Sequence, residues 1–129
     1  MFDQHLDRFL RDMLKFMKDR KGIGLAAPQV GVLQRIIVAD TGDGPLRLVN
    51  PYIVEREGCD SLSEGCLSIP GVFVEVPRNT CLEAAGQDAR GHRVEFEATG
   101  LLARVLQHEI DHLDGRLISD YGPGSDAKG

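Results

Sequence analysis

Tryptophan is absent from the sequence, and cysteine is scarce. Cys59, Cys66 and Cys81 cannot all pair within one chain, and three are too few for a disulfide-bonded scaffold. A reducing cytoplasm is therefore the expected location. An excess of basic charge is missing too, because 15 Lys and Arg face 20 Asp and Glu for a net charge of −5. Such a chain has no overall attraction to nucleic acids or anionic membranes, so we expect neither as a partner.

Long apolar runs are also missing, which excludes a signal peptide and a membrane span of ordinary composition. The length of 129 residues is that of one domain, since two halves would each be too small to bury much core. We predict a single domain over residues 1–120. The last nine residues, 121–129, are polar and rich in glycine, and we expect them to form a flexible tail.

Apolar spacing predicts a helix at each end of the domain with strands between them. The first twenty residues place apolar side chains at intervals of three and four up to a stop at Gly22. A second helix is expected to begin with Thr99 as its N-cap and to end at Gly115. Short β-like runs separated by Gly and Pro occupy residues 35–39, 46–49, 52–54, 72–76, 80–84 and 93–96. This order predicts an α+β fold with antiparallel strands.

The segment GIGLAAPQVG, residues 22–31, consists almost entirely of small residues. Its glycines, Gly22, Gly24 and Gly31, are expected to interrupt both helix and regular strand. We infer that another group approaches the backbone closely here.

The second predicted helix contains the string QHEIDHLDG, residues 107–115. His108 and His112 are four residues apart and therefore lie on one face of the helix, where both imidazoles can bind one metal ion. Glu109 would then sit beside a water on that metal, as in other HExxH sites.

A catalytic site of this kind needs a third protein ligand. The metzincin pattern would place a histidine at position 118, which is Ile118, and no glutamate follows His112. The third ligand must therefore lie upstream. The upstream candidates are Cys59, Cys66, Cys81, His5 and His92.

Cys66 has the most suggestive setting among these candidates. It lies in EGCLSIPG, where Gly65 allows a close backbone approach and Pro70 with Gly71 favours a turn. We therefore select Cys66 as the ligand. Cys59 and Cys81 are expected to be structural and reduced, and His92 to be exposed.

Three segments together resemble the signature motifs of the peptide deformylase family. They are GIGLAAPQVG (22–31), EGCLS (64–68) and QHEIDHLDG (107–115), in the family's order and approximate spacing. The resemblance extends over residues 6–120. It implies a catalytic domain of the deformylase type, in which antiparallel sheets pack around a central metal-binding HExxH helix.

The resemblance also implies roles for individual residues. Cys66, His108 and His112 would bind the metal, with Fe²⁺ preferred and Zn²⁺, Ni²⁺ or Co²⁺ able to replace it. Glu109 would be the general acid and base, while Gln29 and the backbone N–H of Leu67 would form the oxyanion hole. The expected reaction is attack of a metal-bound water on the formyl carbonyl of an N-formylmethionyl peptide, with release of formate.

The small residues suggest how such a peptide would bind. Gly24 and Gly65 would expose main chain to which an extended peptide can pair. We expect the methionine pocket around Ile23, Leu101 and Val105, although Leu101 and Val105 are equally explained as core residues of a helix. Arg78 resembles the family's substrate-side arginine, but the sequence alone also fits a surface charge.

The chain departs from the usual family pattern at both ends. It shows no strand-forming stretch with a Pro-Asp turn ahead of the first helix, and no further helix after Gly115. We therefore expect a short form of the fold, acting as a monomer on nascent chains. A transient ribosome contact that uses a C-terminal helix is in doubt for such a form.

Three alternatives remain at this stage. The enzyme could act on a formylated substrate other than a nascent peptide, or the chain could be a non-catalytic relative that binds metal or peptide. An HExxH metallopeptidase is the third, and the missing downstream ligand argues against it. A non-catalytic relative is expected to have lost Glu109, Gln29 or a metal ligand, and none of these is lost.

Overall fold

A computed structural model describes residues 3–66 and 69–116. The elements, in chain order, are helix α1 (Gln4–Asp19), β1 (Gly24–Ala26), a 3₁₀ turn (Ala27–Val30), β2 (Ile36–Ala39), β3 (Leu46–Glu57), β4 (Asp60–Cys66), β5 (Ile69–Arg78), β6 (Cys81–Gln87), β7 (Arg93–Thr99) and helix α2 (Gly100–Leu113). The predicted α+β class is confirmed. The tail 121–129 lies outside the described residues.

The described strands form two separate antiparallel sheets. Five of them make one sheet in the order β1-β2-β3-β6-β7. Strands β4 and β5 pair only with each other among the described strands and form a hairpin. Hydrogen bonding between strands therefore does not attach this hairpin to the larger sheet.

Helix α1 follows the prediction closely. The Asp3 carboxylate caps it by accepting the backbone N–H groups of His5 and Leu6 at 3.0 and 3.1 Å. One stripe of the helix packs into the core against strands β1 and β2, and it comprises Leu6, Leu10, Met13 and Met17. The chain leaves the helix through Lys21, which has a positive φ of 58°, and Gly22 then donates to the Met17 carbonyl.

The strand predictions are correct in outline but wrong in three places. Gly24 was expected to interrupt regular structure, yet Gly24–Ala26 forms strand β1, paired with β2. Residues 46–54 were expected as two strands, but β3 continues through them. Its register shifts between Val49 and Tyr52, where Asn50 adopts a φ of 51° and Pro51 has no N–H to donate. Strand β4 was not predicted at all.

Helix α2 packs on the five-stranded sheet through one apolar face. Ala103, Leu106 and Ile110 lie in a core cluster with Ile37 and Leu48 of the sheet. Thr99 occupies the N-cap position as predicted, but its side chain makes no capping hydrogen bond. In the described part of the chain, no helix is long and apolar enough to cross a membrane.

Truncation of Leu10 to alanine is expected to lower the free energy of unfolding by about 2–5 kcal/mol, because it leaves a cavity in the α1 core. Leu10 is fully buried, whereas Leu33 is 91% exposed. The matched Leu33→Ala change should therefore cost no more than about 0.5 kcal/mol. Urea unfolding of the metal-free protein measures both values, and equal losses would contradict the assigned core.

Candidate metal centre

Helix α2 places His108, Glu109 and His112 together in the interior. All three side chains are buried, and their ligand atoms lie within 4.8 Å of one another. The Nε2 atoms of His108 and His112 are 3.1 Å apart, as expected from one helical turn between the two residues. Two histidines therefore present their ring nitrogens to one point, with a carboxylate beside them.

This spacing suits a divalent transition metal. Two nitrogens bound tetrahedrally at about 2.0–2.1 Å from one ion are roughly 3.3 Å apart, close to the observed separation. Imidazole nitrogens are also among the ligands that Zn²⁺ and Fe²⁺ accept. The two histidines thus fit a metal by both chemistry and geometry.

Glu64 of strand β4 determines how His108 is oriented. Its Oε1 lies 2.9 Å from Nδ1 of His108, and a carboxylate at that nitrogen favours the tautomer that keeps Nε2 available as a ligand. Burial by itself raises the pKa of Glu64, but hydrogen bonds from His108 and Arg78 outweigh it and hold the pKa at about 2. Glu64 is therefore a charged group in the protein interior at neutral pH.

The predicted third ligand lies on the same strand as Glu64. Cys66 is the last residue of β4, two positions after Glu64, and its backbone pairs with Ile69. The side chain of Cys66 and the whole of Leu67 lie outside the described part of the structure. The roles of Cys66 as ligand and of the Leu67 N–H as oxyanion donor therefore stay predictions.

The other candidate ligands are distributed elsewhere on the surface. Cys59 is exposed and Cys81 is half-buried, and both are free thiols. His5 and His92 are exposed, as expected for His92. None of these four belongs to the cluster of His108, Glu109 and His112 among the described residues.

A cleft of about 520 Å³ opens beside this cluster at His108 and Glu109. The predicted peptide-binding residues that line it are Ile23, Gly24, Gly65, Leu101 and Val105, and Gln29, His108 and Glu109 line it as well. The Oε1 atom of Gln29 accepts the backbone N–H of Ala26 at 2.8 Å, which fixes its side-chain amide.

The exposed fraction of each apolar side chain distinguishes a residue of the methionine pocket from a core residue of the helix. Ile23 is 43% and Leu101 is 51% exposed, so the interpretation of Leu101 as a core residue is wrong. Val105 is buried and also lines the cleft. The apolar residues of the cleft are therefore partly exposed at Ile23 and Leu101 and buried at Val105.

Gly24 packs directly against Glu109. A Cβ atom added at Gly24 would lie 2.7 Å from Oε2 of Glu109 and 2.7 Å from Cγ1 of Val105. The close approach inferred from the glycine-rich segment is thus between the β1 backbone and helix α2. Its reason is steric, since the φ of Gly24 is not one that requires glycine.

The interpretation of Arg78 as a surface charge is wrong. Arg78 is only 4% exposed and forms ion pairs with Glu64 and Asp111. Burial lowers the pKa of a guanidinium, but these two carboxylates outweigh that effect and raise the pKa of Arg78 above its ordinary value. Arg78 is not among the described residues that line the cleft, so its proximity to substrate stays a prediction.

Several cleft residues were missed by the sequence analysis. Phe73 is 72% exposed and lines the cleft, and its ring covers Gly65, where an added Cβ would lie 2.8 Å from Cε1. Gly65 and Phe73 are register partners in the β4–β5 hairpin, so recognising strand β4 would have revealed the pair. Lys21 and Arg104 also line the cleft, but no sequence signal distinguished them from other basic residues.

Comparison with known proteins places these features in a family. The family model for polypeptide deformylase matches residues 1–127. A peptide deformylase of Pelotomaculum thermopropionicum is 50% identical over 116 residues, covering 90% of this chain and 75% of the relative. One from Caldicellulosiruptor bescii is 52% identical over 119 residues, covering 92% and 72%. The crystal structure of the Thermotoga maritima peptide deformylase superposes with a TM-score of 0.92 at 45% identity, covering 95% of this chain and 84% of that one.

A Glu64→Gln variant is expected to lose about 3–5 kcal/mol of stability, because it removes the negative charge with which the buried guanidinium groups of Arg78 and Arg104 pair. The pKa of Glu64 falls from 4.5 to about 2 on folding, so its charge stabilises the protein above pH 4.5 and this contribution is lost as the pH falls towards 2. The difference in the free energy of unfolding between wild type and variant should therefore become smaller as the pH falls from 4.5 towards 2.

Urea unfolding of the metal-free proteins between pH 7 and pH 2 measures the effect. The control is Asp114→Asn, which removes the exposed Arg35–Asp114 ion pair and should cost less than about 1 kcal/mol. If the loss of stability caused by Glu64→Gln does not depend on pH, Glu64 is not charged as described.

Proposed function

We propose that this chain, which belongs to the peptide deformylase family and is an enzyme of that class, removes the formyl group from N-formylmethionyl peptides and releases formate. The observation that carries the proposal is the cluster of His108, Glu109 and His112 beside one apolar cleft, which His108 and Glu109 line. Proteins of this family act on formylated peptides with a divalent metal, and we propose Fe²⁺ as the native ion.

The ligands proposed for this ion are Cys66, His108 and His112. One sulfur and two imidazole nitrogens leave a fourth position open for water or substrate. A divalent ion bound there lowers the pKa of a coordinated water towards neutrality and polarises a carbonyl oxygen. The protein contributes the orientation of these ligands, beginning with the Glu64 carboxylate that holds His108.

Glu109 is proposed to move the proton. It is buried beside the two histidines, and the backbone of Gly24 packs against its carboxylate. Glu109 would accept a proton from the attacking water and return it to the peptide amine as the bond to the formyl carbon breaks. The products are formate and a peptide with a free N-terminus.

The charge that develops on the formyl oxygen requires hydrogen-bond donors already in place. Gln29 lines the cleft, and its side-chain amide is held through the Ala26 N–H. We propose that this amide and the backbone N–H of Leu67 donate to the oxygen. Two aligned donors of this kind are a usual device for stabilising a tetrahedral intermediate.

An extended peptide is proposed to bind along strand β4. This strand pairs with β5 on one edge only, among the described strands, so its other edge is available to backbone groups of a peptide. The methionine side chain would contact Ile23, Leu101 and Val105, and the ring of Phe73 would form an apolar boundary over Gly65. We propose that the substrates are nascent chains in the cytoplasm and that the enzyme acts as a monomer.

A Glu109→Ala variant is expected to lose formate release by roughly 10²–10⁴-fold or more, because it removes the proposed proton carrier. Its metal content should be nearly unchanged, since the proposed ligands remain. The assay uses anaerobically prepared, iron-loaded protein with a formyl-methionyl peptide. Elemental analysis measures the bound metal.

Three results of this assay would change the proposal. Undiminished turnover by Glu109→Ala would exclude Glu109 as the proton carrier. Formylated amines other than peptides are assayed in parallel, and their preference over formyl-methionyl peptides would replace the substrate class. Metal and peptide binding without turnover by the wild type would instead identify a non-catalytic relative.

A Gly24→Ala variant tests whether the backbone of β1 positions Glu109. The added methyl group would meet Oε2 of Glu109 and Cγ1 of Val105 at 2.7 Å, so the carboxylate must shift. Displacement of a catalytic group by about 1 Å can cost roughly 10²-fold in rate, and we expect a fall in kcat of that size.

The control is Gly42→Ala, where an added Cβ has nothing within 4 Å. That variant adds the backbone strain of alanine at a φ of +111°, a cost that Gly24→Ala does not have, but it leaves Glu109 in place. Its kcat should match the wild type. Equal kcat values for Gly24→Ala and wild type would show that the contact is not needed.

A further inference from the structure

Buried polar contacts join the β4–β5 hairpin to helix α2. We call the charged group formed by Glu64, Arg78, Arg104 and Asp111 the clasp. Glu64 and Arg78 belong to the hairpin, while Arg104 and Asp111 belong to α2. Because no described strand outside the hairpin pairs with β4 or β5, the clasp links two elements that no sheet joins.

Arg78 is the centre of the clasp. Its Nε and Nη2 donate to the two oxygens of Glu64 at 3.1 and 2.9 Å, in the bidentate geometry that a guanidinium favours. Its Nη1 donates to Oδ2 of Asp111 at 2.5 Å. One side chain thus connects a carboxylate of the hairpin with a carboxylate of the helix.

A polar stripe of the helix contacts the hairpin and Asn79, the residue that follows it. Arg104 donates to Glu64 at 3.0 Å, and His108 contacts the other oxygen of Glu64. Gln107 exchanges two hydrogen bonds with the backbone of Asn79, at 2.8 and 2.9 Å. Positions 104, 107, 108 and 111 are spaced as one face of a helix, distinct from the face packed on the large sheet.

Both carboxylates of the clasp are close in sequence to proposed metal ligands. Glu64 precedes Cys66 by two residues on β4, and Asp111 directly precedes His112 on α2. Any shift of the hairpin along the helix would therefore alter the separation between the ligand on β4 and those on α2. Apolar packing is not directional, whereas bidentate ion pairing defines a register.

We propose that Arg78 and Asp111 are positioning residues, which hold the Cys66 strand and the two-histidine helix at the separation that a single metal ion requires. This inference rests on the metal site of the proposed function. It assigns Arg78 a role at the ligands, beside its predicted proximity to substrate. Buried ion pairs contribute little net stability compared with apolar residues of similar size, so a role in positioning accounts better for their presence.

The test uses Asp111→Asn, which keeps the size of the side chain but removes its charge. Arg78→Lys is the second variant, because a lysine ammonium cannot pair with both oxygens of Glu64 and with Asp111 in the same fork. The matched control is Asp114→Asn at the C-cap of the same helix, which removes the exposed pair with Arg35 instead. Circular dichroism of each metal-free protein monitors the fold.

The measurement is cobalt(II) affinity by competition with a chromophoric chelator, together with the thiolate-to-cobalt charge-transfer absorption. We expect both clasp variants to bind cobalt about 10–100-fold more weakly and to show a weaker charge-transfer band. Asp114→Asn should match the wild type in both readouts. A residue needed only for folding would change neither the affinity nor the band of protein that remains folded.

Wild-type affinity and a full charge-transfer band in the folded clasp variants would overturn the proposal. Loss of folding in both variants, with Asp114→Asn intact, would assign the clasp to the fold alone and would overturn it too. Neither readout involves formate release. The comparison of the clasp variants with the wild type therefore remains valid even if the deformylase assay fails. Absence of cobalt binding by the wild type would instead contradict the proposed metal site on which the inference depends.

Discussion

The burial of a polar helix is the constraint on which the rest of the structure depends. Residues 103–110 of α2 are all buried, and they include Arg104, Gln107, His108 and Glu109. Burying such groups without partners costs several kcal/mol each, so the fold must supply a partner for every one. The larger sheet covers the apolar face of the helix, the hairpin satisfies its polar stripe, and the β1 backbone lies against Glu109.

The chemistry of the centre follows from this arrangement. Glu64 stays charged in the interior because hydrogen bonds from His108 of the helix and Arg78 of the hairpin outweigh its burial, and it can therefore hold His108 in one orientation. Glycine at position 24 brings the β1 backbone close to Glu109 without a side chain between them. His108, a proposed metal ligand, and Glu109, the proposed proton carrier, are adjacent residues of α2. Different elements position them: the hairpin positions His108, and the edge of the large sheet positions Glu109.

Sequence patterns within one helix predicted the features that depend on that helix alone. The spacing of apolar residues in α1 and the four-residue separation of His108 and His112 are properties of a single helix, and both predictions agree with the structure. Strand β4 escaped prediction because its sequence DSLSEGC is polar and glycine-containing, without regular apolar alternation. Arg78 was misinterpreted for a related reason, since an arginine near the end of a strand is usually exposed and only its two distant carboxylates account for its burial.

The sequence by itself determined the α+β class, the candidate ligands, the candidate base and the family, because these depend on residue types at short, regular spacings and on three motifs in order. Only the tertiary structure decided which groups surround them. Glu64 and His108 are 44 positions apart, and Arg78 and Asp111 are 33 apart. No helical or strand period extends over such distances, so the pairing of the hairpin with α2, the burial of Arg78 and the place of Phe73 at the cleft follow from how the chain packs in three dimensions.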